Sequence, residues 1–282
     1  MKEDDGSPKI YLLPNLMTAG NLFSGFLAVL MILKGTLEIA TADAAHRLAA
    51  MEAGNAYFKY AIWCILAACV FDLLDGRLAR LGGTDSPFGR EFDSLADIVS
   101  FGVAPALMVY RIVLHEFDKI GWVIASVYLV CGALRLARFN CLAATNSASA
   151  NKEFTGFPIP AAAGMIASLT LFLLWLSEKQ HAIGVGKWVL PPLMLFLAWM
   201  MFSKFKYPSF KGIGWRTKRS LPRFVLILAV IGFTVMNYEW MPFVIFLAYL
   251  LYGFFRPFLS RKMQAEIEEE FDEDDDEEMV SP

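Results

Sequence analysis

The chain has few of the side chains from which soluble metal and redox sites are built. Only 4 cysteines and 3 histidines occur in 282 residues. No two of Cys64, Cys69, Cys131 and Cys141 have C-x-x-C spacing, and three of them lie inside apolar runs. They read as inert packing residues, which excludes a disulfide framework and a thiolate zinc site as organising features. His46, His115 and His181 stand singly in segments read as loops, with no second ligand type nearby, and receive no chemical role. Charge is also scarce, at 19% of residues against roughly 25% in soluble domains. No segment is long and polar enough to form a large soluble domain.

Apolar surface is abundant instead. Hydrophobic residues make up 57% of the chain, with 24 Phe and 7 Trp; soluble domains average ~45–50%. The excess falls in blocks of about 17–25 residues, the length needed to cross ~30 Å of hydrocarbon. Eight spans are expected, near 15–34, 57–81, 91–114, 121–140, 158–177, 188–203, 221–236 and 240–257. The last two are short, are separated by a tight turn at Asn237 and Tyr238, and read as a hairpin added to a six-helix core. The expected fold is therefore all-α, a polytopic membrane helix bundle. Its expected parts are an N-terminal segment (1–14), a catalytic core (15–212), a C-terminal transmembrane hairpin (213–258) and an acidic tail (259–282). The first residues are mixed in charge and the first apolar run is long enough to stay as an anchor, so no cleaved leader is expected.

The net charge of −3 conceals an uneven distribution. Eleven of the 28 acids lie between Glu266 and Glu278; the rest of the chain sets 25 cations against 17 acids and carries +8. A basic membrane-embedded body suits anionic lipid and pyrophosphate. The tail is a like-charge block, expected to be disordered and solvated. With the N-terminus placed inside, 18 cations fall on the inner side and 7 on the outer, which puts both termini in the cytoplasm. The Ala-rich connection from Thr36 to Ala56 reads as a short interfacial helix, and Leu142 to Phe157 as a flexible cytoplasmic loop. The basic, aromatic segment 203–219 reads either as a headgroup-level anchor or as a substrate-side lid. Lying in a single loop between spans, it does not read as a nucleic-acid surface.

Between the second and third apolar runs stand Asp72, Asp75, Asp93 and Asp97. Spacings of three and four place each pair on one helix face. The turn at 82–88 lets the two helices run antiparallel, so both acidic faces meet at one end. Four acids in or beside a bilayer are very costly unless a cation offsets them. Two hard divalent ions held by facing carboxylates are the usual compensation, and two metals at a lipid surface point to chemistry on phosphate. Gly76, Ala79 and Gly89 leave room for a ligand against the helix backbone, and Arg77 and Arg80 can meet phosphate oxygens. The rival from another class is a transporter whose intramembrane carboxylates carry cations or protons. That reading gives no reason for Gly76, Ala79, Arg80 and Gly89 at these offsets.

The pattern D-x-x-D-G-x-x-A-R, eight residues, G-x-x-x-D-x-x-x-D, complete here from Asp72 to Asp97, resembles the signature of the CDP-alcohol phosphatidyltransferase family. The runs PNLMTAGNLFSGF (14–26), FGREFDSLADIVSFGVAPA (88–106), GALRLARFN (132–140), FTGFPIPAAAG (154–164) and KYPSF (206–210) are similar to its membrane-embedded phosphatidylserine synthase branch. The resemblance covers about residues 8–212 and leaves out the last two spans and the tail.

That resemblance implies a metal-dependent reaction of CDP-diacylglycerol with L-serine, in a homodimer of a bacterial inner membrane with the active site facing the cytoplasm. It implies that Asp72, Asp75, Asp93 and Asp97 hold two Mg²⁺ or Mn²⁺ ions, and that Asp97 is also the general base. Asp72, Gly76, Ala79 and Arg80 would contact nucleotide and phosphate. Asn15 and Thr18 either reach the CDP group or cap the first span. Arg135 and Arg138, three apart, either take the serine carboxylate or anchor the helix end. The PIPAAAG run is expected to break the chain between the fourth and fifth spans and to shape the acceptor pocket. A sister activity with glycerol phosphate or inositol phosphate as acceptor shares the same metal site and remains the nearest alternative.

Overall fold

The computed structural model describes residues 12–82, 86–144, 154–180, 186–203, 206–207 and 232–255. Its helices are α1 (Leu12–Thr41), α2 (Arg47–Gly82), α3 (Pro87–Asp97), α4 (Ala104–Ile112), α5 (Lys119–Ala144), α6 (Ile159–Gln180), α7 (Leu190–Phe202) and α8 (Met241–Phe255). A wide π turn, Ile98–Val103, joins α3 to α4 without a break. Among the described residues, five helices are long and apolar enough to cross a membrane: Leu13–Thr41, Ala44–Leu78, Pro87–Ile112, Lys119–Cys141 and Ile159–Ser177. Lys187–Phe202 and Met241–Phe255 are shorter apolar helices. In hydrocarbon every backbone polar group needs an internal partner, which a helix supplies from its own turns. The two strands, β1 (Phe154–Thr155) and β2 (Lys206–Tyr207), form one antiparallel pair, Phe154 opposite Tyr207 and Thr155 opposite Lys206.

Large apolar side chains cover the outside of the bundle, among them Phe23, Leu37, Val70 and Trp122, each more than half exposed. Lipid, no more polar than these groups, exerts no hydrophobic pressure to bury them, so close packing of small residues has to hold the helices together. A Cβ on Gly20 would lie 3.1 Å from the Phe71 ring, and one on Gly35 would lie 2.9 Å from the Gly54 carbonyl oxygen. Those two contacts fix α1 and α2 as an antiparallel hairpin. Helix α6 is the most enclosed, with every residue from Ala162 to Leu171 buried. Its buried Ser168 and Thr170 hydroxyls bond back to the Met165 and Ile166 carbonyls at 3.2 and 2.7 Å.

The π turn has a legible cause. Pro105 has no N–H to give the Phe101 carbonyl one turn back. The fully buried Tyr128 of α5 donates its hydroxyl to that carbonyl at 3.0 Å. On the other side of the turn, Ser100 Oγ donates to the Asn21 carbonyl at 2.9 Å. A Cβ on Gly25 would lie 2.1 Å from Ser100 Oγ, so α1 reaches the turn only because position 25 carries no side chain.

The connection from Thr36 to Ala56 is not a separate interfacial helix. Helix α1 continues to Thr41, one 3₁₀ turn spans Ala44–His46, and α2 starts at Arg47. Alanine, leucine and glutamate are good helix formers, so they extend the flanking helices and leave only a short break. The PIPAAAG run starts α6 as expected, with Pro160 in its first turn, where a missing N–H costs nothing. At the far end from the acids, Lys187 pairs with Glu116, and the Phe117 ring meets the Trp188 edge at 5.1 Å. Most of the expected seventh span lies outside the described residues, as do the acidic tail and most of the loops at 142–157 and 203–219. Residues 232–236 are helical, and a turn at 237–240 leads into α8.

Candidate metal and acceptor site

Helix α2 carries Asp72 and Asp75 near its C-terminal end, and α3 carries Asp93 and Asp97. The start of α3 is fixed locally: Pro87 is its first residue and the Ser86 hydroxyl accepts from the Gly89 N–H at 3.0 Å. From this start α3 packs mainly against α1, and its Asp93 reaches the Asp72 and Asp75 carboxylates of α2. Asp72, Asp75 and Asp93 each turn one carboxylate oxygen to a common point, and the three oxygens lie within 4.8 Å of one another. Asp93 Oδ1 is buried without a hydrogen-bond partner among the described residues. Asp97 lies one turn beyond Asp93, buried, and interacts electrostatically with Asp72, Asp93 and Asp75.

Helix α1 supplies what the acids require on their other side. Asn15, Thr18 and Asn21 recur every three residues and form a polar stripe on the first half of α1. The Thr18 hydroxyl donates to Asp75 Oδ2 at 3.0 Å, and Asn21 Nδ2 donates to Asp97 Oδ1 at 3.0 Å. Asn15 comes beside Gly89, where a Cβ would lie 3.5 Å from its Oδ1, and Asn15 Nδ2 is buried without a partner among the described residues. The capping alternative for Asn15 and Thr18 does not hold, because α1 starts at Leu12 and both residues lie inside it. Their side chains face the acids across the helix interface.

Arg135 and Arg138 part company. Arg138 is exposed, whereas Arg135 is largely enclosed and its Nε is buried without a partner among the described residues. The Arg135 guanidinium interacts electrostatically with Asp97, Tyr249 and Asp72. Gly76 is half-buried on α2 beside the acids. The side chains of Ala79 and Arg80 lie outside the described residues, although both belong to the last turns of α2.

Three participants carry no assignment from sequence. Asn21 and Ser100 lie within the family-like runs, but only their mutual contact shows what they do. Asn140 Nδ2 donates to Ser94 Oγ at 2.9 Å and ties α5 to α3 between Asp93 and Asp97. The three-residue recurrence of polar groups in α1 is the one sequence signal that points to Asn21.

The donor set is entirely oxygen, and three carboxylates cannot stay charged at such separations in a low dielectric without a cation. Hard divalent ions fit this set, and the unpartnered Asp93 Oδ1 supplies a free ligand atom. What the arrangement offers is a cation site with a fourth, separately oriented carboxylate beside it and a guanidinium behind that.

Residues 11–203 match the CDP-alcohol phosphatidyltransferase family. A CDP-diacylglycerol–serine O-phosphatidyltransferase of Helicobacter pylori is 35% identical over 248 residues, 88% of this chain and 91% of that protein. An archaetidylserine synthase of Methanothermobacter thermautotrophicus is 33% identical over 218 residues, 76% of this chain and 77% of its own length. A CDP-diacylglycerol–serine O-phosphatidyltransferase of Bacillus subtilis is 30% identical over 199 residues, 71% of this chain and 91% of that protein.

Proposed function

The chain belongs to the CDP-alcohol phosphatidyltransferase family, and we propose that it transfers the phosphatidyl group of CDP-diacylglycerol to the hydroxyl of L-serine, giving phosphatidylserine and CMP. The observation that carries this reading is the placement of Asp97. It lies one turn from the three clustered carboxylates, held by the Asn21 amide, with the Arg135 guanidinium in its field. A base beside a cation site and a cation for the acceptor's carboxylate are what joining an amino-acid hydroxyl to a pyrophosphate requires.

Asp72, Asp75 and Asp93 would hold the divalent ions, with Asp97 contributing to the second, and Mg²⁺ and Mn²⁺ both suit an all-oxygen site. When bound, such ions neutralise the pyrophosphate and the charge that develops on departing CMP. The chain's own groups do the rest. Asn15, Thr18, Asp72 and Gly76 would contact the cytidine and phosphates, as would Ala79 and Arg80 by the family resemblance. Arg135 receives the serine carboxylate with charge-assisted hydrogen bonds, and exposed Arg138 fits the anchoring role. Asp97 takes the proton from the serine hydroxyl as its oxygen bonds to the phosphorus bearing diacylglycerol. The P–O bond to CMP breaks, and the electron pair leaves with CMP. The cation distribution supports a cytoplasmic active site in an inner membrane, and the family resemblance supports a homodimer.

Detergent-purified protein incubated with CDP-diacylglycerol, labelled serine and Mn²⁺ tests the reading. Serine-dependent CMP release, abolished by chelator and restored by Mg²⁺ or Mn²⁺, is expected. Release only with glycerol phosphate or inositol phosphate would move the chain to a sister activity. No release with any acceptor, together with ion flux in vesicles, would overturn the enzyme reading.

A further inference from the structure

Helix α8 lies beyond residues 11–203, the segment matched to the family, yet it is packed into the bundle. Gly164 of α6 accepts it at closest range: a Cβ there would lie 2.2 Å from Phe246 Cζ. The Phe172 and Phe243 rings stack at 5.6 Å with 5° between planes, and Leu250 is buried. Residues 243, 246 and 250 recur every three or four positions, so they define one face of α8. Tyr249 flanks that face. Its ring meets Phe157 at 5.7 Å, and its phenol interacts electrostatically with Arg135.

Phe157 is a rigid platform. It is fully buried, its N–H bonds to the Met200 carbonyl at 3.1 Å, and Gly156 before it has φ +88°, a conformation suited to glycine. Arg135 comes to the same place from α5. One turn before it, a Cβ on Gly132 would lie 2.6 Å from Ile159 Cδ1, so α5 and the start of α6 touch there. Arg135, whose Nε is buried without a partner among the described residues, interacts electrostatically with both Asp97 and the Tyr249 phenol.

We propose that Tyr249 is a specificity-determining residue of the acceptor site, its hydroxyl joining Arg135 in donating hydrogen bonds to the carboxylate of an α-amino-acid acceptor. This rests on the serine reading above and extends it to a helix outside the shared core. The ring is held by Phe157, and the guanidinium has a donor to spare.

The test is Tyr249→Phe in the full-length enzyme, with Tyr252→Phe on the same helix as control. Tyr249→Phe should raise the KM for serine about tenfold, the loss of a hydrogen bond to a charged group. The KM for CDP-diacylglycerol and kcat at saturating serine should stay within about twofold. L-Serine methyl ester lacks the carboxylate, so the preference for serine over the ester should shrink in Tyr249→Phe and not in Tyr252→Phe. An unmoved preference in an enzyme that uses serine would overturn the Tyr249 assignment alone. A wild-type enzyme that uses glycerol phosphate or inositol phosphate and not serine would overturn both readings.

Discussion

Asn21 shows how much one side chain can decide. It is fully buried in a membrane span, and its amide donates to Asp97 while its backbone carbonyl accepts from Ser100. A buried hydrogen bond to a charged group contributes about 1.5–3 kcal/mol. Asn21→Ala should therefore lower kcat by roughly 10- to 100-fold, because the carboxylate loses its orientation. The KM for CDP-diacylglycerol should change much less. Steady-state rates over both substrates decide the matter, and a kcat near wild type would deny Asn21 a positioning role. The four aspartates are legible in the sequence because acids are conspicuous among apolar residues and their spacing is local. Asn21 is not legible there as their partner, since its bond to Asp97 joins positions 76 residues apart.

The segment from Asp97 to Ala104 is the element on which the site depends. A π turn widens the helix just past Asp97 and is kept from collapsing by partners on two sides, Tyr128 and Ser100. Such turns frequently mark functional positions. Tyr128→Phe leaves the Phe101 carbonyl without its donor inside the bundle and should destabilise the protein by about 1–3 kcal/mol. Unfolding in detergent, followed by loss of helical signal, measures this; an unchanged midpoint would mean that another donor reaches Phe101. Gly25→Ala acts on the opposite side. The added carbon would stand 2.6 Å from Ser100 Cα, which is backbone and cannot step aside. Helix α1 would have to withdraw, taking Asn21 from Asp97, so turnover should fall more than stability does. A fully active Gly25→Ala enzyme would show that α1 can shift without disturbing Asp97.

Across the whole molecule the acids, the polar stripe of α1 and Arg135 share one end of the bundle, and the Glu116–Lys187 pair marks the other. The proposed cytoplasmic site, read from the distribution of cations along the sequence, can be tested. Native Cys141, exposed near the end of α5, should then resist a membrane-impermeant maleimide in intact cells and react once they are permeabilised. Asp118→Cys, at an exposed position in the opposite loop, should react in intact cells. The reverse pattern would invert the orientation. The bundle class and most span positions are legible in the amino-acid order, because hydropathy and helical period are properties of short windows. The Thr36–Ala56 connection is not, because its helix-forming residues continue α1 and α2 almost to each other and erase the expected boundaries.

The amino-acid order alone determined that the chain is a helical membrane protein and that four carboxylates stand at one end of two adjoining spans. Those are consequences of spacing along a helix and of the cost of charge in hydrocarbon. Only the tertiary structure decided which way each helix turns about its own axis. Close contacts at glycines such as Gly25, Gly132 and Gly164 set those rotations. They bring Asn21 to Asp97, separate Arg135 from Arg138 and carry Tyr249 to Phe157, because contacts between distant segments depend on packing that no local pattern encodes.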